Sequence, residues 1–288
     1  MSTSINQPRV AAVTMVWNEM LFLPLWLDYY GRQLGRENLF IIDNDSDDGT
    51  TADLYPSSRV RYRRSEFDDV ARTAFVSSFA NLVRRDYDAV VVTDCDEFLV
   101  ADPTQYSSLK DYITQTPGDA LAAIGLNVHH VLGLEAALDP TKSIFEQRRH
   151  VQFVSPMCKP AITRKDVVYA PGFHSCSLSP TFGRLYNFHL RWADYDYALK
   201  RLSMTREMAW KDSSNWHYQR QSDQETAAQF RYFSGFERRV DDEFKFSDRI
   251  AEVSASISEQ ASSPIYKLPD VRDKFLTSLP ARFNRSVL

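Results

Sequence analysis

The alternation of apolar and polar positions is regular over the first hundred residues and loosens after them. Residues 9–16 (RVAAVTMV) form a compact apolar run rich in β-branched side chains, the pattern of a strand buried on both faces. Asn18 follows as a helix cap and Pro24 suits a first turn. Leu25, Trp26, Tyr29, Tyr30 and Leu34 recur at helical spacing until Gly35 stops the helix. Residues 39–42 are a second short strand, ending in 43–50 (DNDSDDGT). Strand, helix and strand make one βαβ unit, with a right-handed crossover. A weaker strand is expected at 60–62 and a helix over 71–85, with Phe75, Phe79 and Leu82 as its stripe. Residues 88–93 (DAVVVT) read as the best strand of the chain and run straight into Asp94-Cys95-Asp96-Glu97-Phe98. This is half of a doubly wound sheet.

Beyond Pro103 the spacing predicts a helix at 107–114, strands at 120–128, 151–154 and 161–163, and a helix at 194–208. Residues 221–257 are polar, charged and aromatic, which suggests peripheral helices. No internal repeat or low-complexity linker divides the chain. One composite domain over 1–220 is expected, with a nucleotide-binding half (9–100) and an acceptor-side half (101–220). A peripheral helical extension follows at 221–288.

A net charge of −4 and a pI near 5.9 argue against a general nucleic-acid binder, which carries a basic face. Cys95, Cys158 and Cys176 are too few and too scattered for a disulfide framework or a thiolate zinc site. The start has no basic and apolar signal segment, and no apolar run is long enough for a transmembrane segment. A cytoplasmic protein is expected, with peripheral membrane association through a partner or a lipid-linked acceptor still compatible.

Two acidic clusters each follow an apolar strand. Ligands of open parallel sheets bind outside the carboxyl ends of the strands, so both clusters belong at one sheet edge. On its own, 43–48 also reads as a solvated turn held by Asx hydrogen bonds. A calcium loop fails, because the glycine falls at loop position 7 and position 12 is Leu54 rather than Glu. Asp94 and Asp96 flank one small residue at a strand mouth, where two carboxylates raise each other's pKa. A divalent cation removes that penalty, and carboxylate oxygens suit Mg²⁺ or Mn²⁺. The structural alternative is that either Asp caps a helix.

Residues 14–19 (TMVWNE), 41–50 (IIDNDSDDGT) and 92–98 (VTDCDEF), in that order, resemble glycosyltransferase family 2, in particular the branch whose metal motif reads Asp-x-Asp-Glu-Phe. The resemblance implies an α/β fold of the GT-A kind: a Rossmann-like, mostly parallel sheet with flanking helices and a smaller acceptor-side and C-terminal extension. It places Thr14, Trp17, Asn18 and Asp43 around the nucleotide. Asp94 falls near the ribose or the metal, and Asp96 is a direct metal ligand. Glu97 and Phe98 support the loop. Arg72 becomes a basic contact to the nucleotide, its alternative being an exposed helix arginine.

Residues 158–164 (CKPAITR), 172–174 (GFH) and 187–191 (NFHLR) resemble later motifs of the same branch. Lys159 is thereby a candidate phosphate contact. His189, or alternatively His174, completes the metal shell. His129, His130 and His217 have no comparable support, although His129 or His130 could face the acceptor. The stretch 191–194 (RWAD) departs from the pattern, lacking the lysine-serine pair expected after the histidine. Inverting transfer, which the resemblance implies, needs a carboxylate to deprotonate the acceptor. Glu135, Asp194 and Asp196 are candidates by position alone.

The resulting expectation is transfer of a sugar from a UDP- or GDP-type nucleotide-sugar donor to a hydroxyl of a glycan, lipid-linked or small-molecule acceptor, assisted by Mn²⁺ or Mg²⁺. The alternatives are a catalytically inactive binding or scaffold domain of the same fold, and a nucleotidyltransferase. The latter usually wants a glycine-rich loop where this chain has Trp17-Asn18-Glu19.

Overall fold

The structure is a computed structural model that describes residues 8–63, 66–211, 219–260 and 263–283; His217 lies outside them. β1 (Val10–Val16) is buried at every position. It lies between β2 (Leu39–Asp43) and β4 (Ala89–Val92), both parallel to it, and β3 (Ser58–Arg61) extends the sheet beyond β2. α1 (Phe22–Leu34) links β1 to β2, and α2 (Asp69–Val83) links β3 to β4. The carboxyl ends of β1, β2 and β4 therefore open at one edge, the expected place for a ligand.

The second half continues the sheet with mixed pairing. β5 (Glu97–Ala101) and α3 (Leu109–Gln115) lead into the long β6 (Ala120–His129). α4 (Ile144–Gln147), β7 (His150–Phe153) and β8 (Ile162–Thr163) follow, then β9 (Pro180–His189) and α5 (Tyr195–Arg206). β8 joins β4 to β6, both antiparallel to it. β9 runs parallel to β6 and antiparallel to β5, which carries the segment after Asp96 into the sheet. The class is α/β, a large central sheet flanked by helices, as the pattern of the first hundred residues predicts.

Three differences from the expected elements have clear causes. β9 escapes a periodicity reading because its interior mixes aromatic, polar and glycine positions, Gly183, Arg184 and Asn187 among them, and β5 is hidden because it follows β4 after only four residues, inside the Asp94–Phe98 motif. The buried face of α2 is Thr73, Val76, Ser77, Ala80 and Val83, whereas Leu82 is 61% exposed. Phe75 and Phe79 are half-buried instead, Phe75 stacked on Tyr62 at 4.2 Å between ring centres. Beyond residue 221 the chain is not helical alone. Besides α6 (Asp223–Ser234) and α7 (Ser247–Ala255) it supplies β10 (Glu237–Arg239), a hairpin of β11 (Ser258–Gln260) and β12 (Ser263–Lys267), and β13 (Phe275–Ser278). β13 pairs with β7 and β10 with β13, so the tail extends the sheet. Leu276 and Thr277 are buried there, too brief a run to announce a strand.

Gly125 in β6 shows how tightly the second half packs on itself. A Cβ there would lie 2.4 Å from the Met157 carbonyl carbon and 2.5 Å from both Cys158 N and Val154 O. These are backbone atoms and cannot rotate away. Gly125→Ala is therefore expected to lower stability by about 3 kcal/mol, the upper end of ordinary overpacking, read as a drop in thermal midpoint. The same segment carries Lys159 under the site.

Candidate active site

The loop between β4 and β5 is held from below by α1. Trp26 Nε1 donates to Thr93 Oγ1 at 2.9 Å, and Tyr30 Oη donates to the Glu97 carbonyl at 3.1 Å. The Leu99 amide donates back to Tyr30 Oη, and Tyr29 Oη donates to the Leu99 carbonyl at 2.6 Å. Trp26, Tyr29 and Tyr30 are buried, so these bonds form in a poorly solvated place where they fix position strongly. The helical spacing of the aromatics thus serves the site as well as the core. Just ahead of α1, Glu19 Oε1 accepts from Leu21 N and from Phe22 N, the first residue of the helix. Asn18 does not cap it. With φ at +48°, Asn18 instead exchanges hydrogen bonds with Asp47, tying the first strand end to the second.

Asp94 meets two cations. Arg72 Nη2 donates to Oδ1, and Lys159 Nζ donates to Oδ2 at 2.9 Å. Burial opposes its ionisation, but Lys159 and Arg72 outweigh burial and hold the carboxyl well below the usual carboxylate range. Lys159 also lies 2.5 Å from Glu97 Oε1. Burial disfavours its charge, yet Asp94 and Glu97 raise its pKa above the usual lysine value. Glu97 is wholly buried, and burial raises its carboxyl despite Lys159. Phe173 lies beneath both cations, 4.6 Å from the Arg72 guanidinium carbon and 5.9 Å from Lys159 Nζ.

Asp96 makes no ion pair with Arg72 or Lys159 among the described residues. Its Oδ2 lies 3.4 Å from Nε2 of His189, whose Nδ1 lies 2.7 Å from Asn127 Oδ1. Burial would raise the Asp96 carboxyl, but His189 brings it below its ordinary value. Asp96, Glu97 and His189 offer one ligand atom each, all within 4.8 Å of one another. The divalent cation implied by the resemblance fits this set. Two carboxylates and an imidazole suit Mn²⁺ and, less well, Mg²⁺, and Glu97 Oε2 is buried without a hydrogen-bond partner among the described residues. Asp94 is not in the set, since both its oxygens face cations. His174 is not in it either. Its Nδ1 lies 2.6 Å from the Pro156 carbonyl, and burial and then Lys159 bring its pKa down to about 4.

A cavity of about 230 Å³ opens beside the cluster. Trp17, Asn44 and Phe67 line it together with Asp94, Cys95, Asp96 and His189. Arg72, Arg191, Arg201, Glu19 and Tyr197 also line it, Arg72 paired with Asp69 and Asp94. Tyr197 Oη donates to Glu19 Oε1, and Arg201 Nε lies 3.7 Å from Glu19 Oε2. Burial, then Glu19 and Asp96, push the Cys95 thiol up, so it is an inert wall.

Several expected contacts lie outside this cavity. Thr14 is buried in the middle of β1. Asp43 is wholly buried, its Oδ1 accepting from Ser46 N and its Oδ2 from Thr51 Oγ1, which is the turn-holding reading of its cluster. Its neighbour Asn44 faces the cavity instead. Lys159 lies behind Asp94, buried between carboxylates. The three candidate bases are also elsewhere. Glu135 accepts from Val131 N and Arg149 N, Asp194 caps α5 through Tyr197 N and meets Leu138 N and Arg148, and Asp196 is exposed on the first turn of α5. Glu19, Tyr197 and Arg201 were not singled out from the sequence. The i, i+4 spacing of Tyr197 and Arg201 on a helix next to the 187–191 motif was the available signal.

No family model matches the chain, and no curated protein matches it. Among solved structures it is similar to the mannosyltransferase PcManGT from Pyrobaculum calidifontis in complex with GDP-Man and Mn²⁺. There the identity is 23%, 42% of this chain and 36% of that one are covered, and the TM-score is 0.30. It is also similar to S. aureus TarS: residues 1–349 at 12% identity, covering 79% of this chain and 72% of that one with a TM-score of 0.36, and a second TarS structure at 12%, 79%, 44% and 0.34. The chain thus spans about a third of the mannosyltransferase. All of these likenesses are partial, with TM-scores of 0.36 or less.

Proposed function

We propose that the chain is a glycosyltransferase using a nucleoside-diphosphate sugar, with a divalent cation held by Asp96, Glu97 and His189. The observation that carries this is the juxtaposition of that ligand set with a cavity walled by Arg72, Arg191 and Arg201, at the carboxyl ends of parallel strands. A diphosphate is the dianionic group that needs both. When bound, the cation supplies Lewis-acid stabilisation of the departing diphosphate. The arginines add fixed positive charge where negative charge develops, which is worth most in a site that excludes water. Trp17 and Phe67 offer ring surface to the nucleoside or sugar.

The base is reassigned to Glu19. Of the described carboxylates lining the cavity, Asp94 is neutralised by two cations and Asp96 belongs to the ligand set, which leaves Glu19. Its Oε1 is committed to α1 and Tyr197, and its Oε2 takes the acceptor proton. The acceptor oxygen then bonds to the anomeric carbon as the carbon–oxygen bond to the diphosphate breaks, its electron pair staying on the diphosphate. Glu19→Gln keeps the acceptor oxygen for α1 but not the basicity. It is expected to cut kcat by about 10²–10⁴-fold with thermal midpoint and donor KM little changed, whereas Asp196→Asn leaves the rate intact. Equal rates for Glu19→Gln and wild type would remove Glu19 from this role.

The test of the whole reading is hydrolysis of a panel of UDP- and GDP-sugars with Mn²⁺. Turnover of at least one donor, lost in chelator, is expected. Absence of turnover and binding for every donor contradicts it.

A further inference from the structure

The ligand set is built across three strands in one register. β5 and β9 pair Glu97 with His189, and β9 and β6 pair His189 with Asn127. Directly paired residues project to the same face of a sheet, so Glu97, His189 and Asn127 form one polar row. β7 extends the row, pairing Asn127 with Gln152. Gln152 is anchored by donating Nε2 to the Asp273 carbonyl at 2.6 Å. Asn127 is 8% exposed, and His189 is the neighbour its amide oxygen meets, at 2.7 Å from Nδ1. The opposite ring nitrogen, Nε2, faces Asp96.

A neutral imidazole carries one N–H, and which nitrogen holds it decides which lone pair is left for a cation. An acceptor at Nδ1 keeps the proton there. We propose that Asn127 is a positioning residue for the cation: its amide oxygen holds the Nδ1 proton of His189, leaving the Nε2 lone pair directed into the Asp96–Glu97 pair. The inference rests on the metal-dependent reading of this site. Nothing in the spacing of the sequence connects Asn127 to His189; only the parallel β6–β9 register does.

The expected consequence is a loss of metal affinity of about 10–100-fold when the outer partner is removed, the usual effect for the hydrogen-bond partner of a ligating histidine. The test measures Mn²⁺ binding by electron paramagnetic resonance of the free ion in wild type, Asn127→Leu and Asn127→Asp, with thermal midpoints alongside. Leu removes the acceptor and Asp keeps one. If Asn127 orients His189, Mn²⁺ affinity is lost in Leu and retained or tightened in Asp. A merely structural role gives the reverse order, because a buried carboxylate is the worse-tolerated change. A second comparison covers misfolding of the Asp variant. In a His189→Gln background Asn127→Leu should cause no further loss, since the residue acts through the imidazole. Wild-type-like Mn²⁺ affinity in Asn127→Leu, or an equal additional loss in the His189→Gln background, overturns the inference, as does wild type that binds no Mn²⁺. Sugar transfer fails separately, on the donor panel, so the two failures are told apart.

Discussion

Asp96→Asn is expected to lower donor turnover by about a thousandfold, equivalent to about 4 kcal/mol of transition-state stabilisation, while the protein stays folded. The reasoning starts from what Asp96 does not do. Its side chain is 25% exposed, and His189 Nε2 lies 3.4 Å from its Oδ2. Asp94 raises its carboxyl, and Asp96 in turn raises that of Glu97. His189 nevertheless leaves the Asp96 carboxyl lowered overall, so its charge is mildly favourable in the folded metal-free protein, and its loss should lower the thermal midpoint only slightly. Activity and stability therefore move independently, the mark of a residue kept for chemistry rather than for the fold. Kinetics with a hydrolysed donor and a thermal melt check both halves. A variant that loses its melt together with its activity would make Asp96 a structural residue.

Lys159→Met is expected to be the most damaging single change to stability, about 3–5 kcal/mol, because it strips the cation from a buried charge cluster. Lys159 Nζ lies 2.9 Å from Asp94 and 2.5 Å from Glu97, and its side chain is 4% exposed. Asp94 would keep Arg72, but Glu97 has no other cation among the ion pairs found for the described residues. The pH dependence follows from the directions of the shifts. Asp94 is depressed, so its contribution is complete above the ordinary aspartate value of about 3.9 and fades as pH falls through its folded value. Lys159 is raised, so its contribution is complete below about 10.4 and fades as pH climbs through its folded value. Glu97 is raised by burial, so its ionisation costs stability as pH rises, and more so without Lys159. The deficit of Lys159→Met should be full between about pH 5 and 9 and shrink under acid, as read by urea unfolding at several pH values. A deficit that grows on acidification would contradict the pairing.

The first half of the fold was legible because buried parallel strands write themselves as uninterrupted apolar runs. Residues 9–16, 39–42 and 88–93 all became strands, and the aromatics of α1 fell where their spacing put them. Asp94 and Asp96 were legible for the same reason, being the polar residues that break such a run. Asp43 was legible as a strand end, although its side chain turned inward to hold its loop. The rest of the site is non-local. Lys159 and His189 were readable only through a resemblance. Lys159 lies just ahead of β8 and His189 ends β9, and these strands are too short or too mixed to show a period. Glu97's place beside His189 depends on the antiparallel β5–β9 register, and Asn127's on the parallel β9–β6 register. Glu19 was hidden by its neighbour: Asn18 has the better capping chemistry, yet it is the Glu19 carboxylate that accepts from the Phe22 amide.

The central claim is a cation site made by Asp96, Glu97 and His189 that serves a diphosphate. It is tested most directly by calorimetric titration of UDP and GDP into the protein with Mn²⁺, with chelator, and with the Asp96→Asn variant. Binding of at least one nucleotide with Mn²⁺, lost in chelator and in Asp96→Asn, is the predicted result. Equal affinity with and without Mn²⁺, or no binding of either nucleotide, would contradict it.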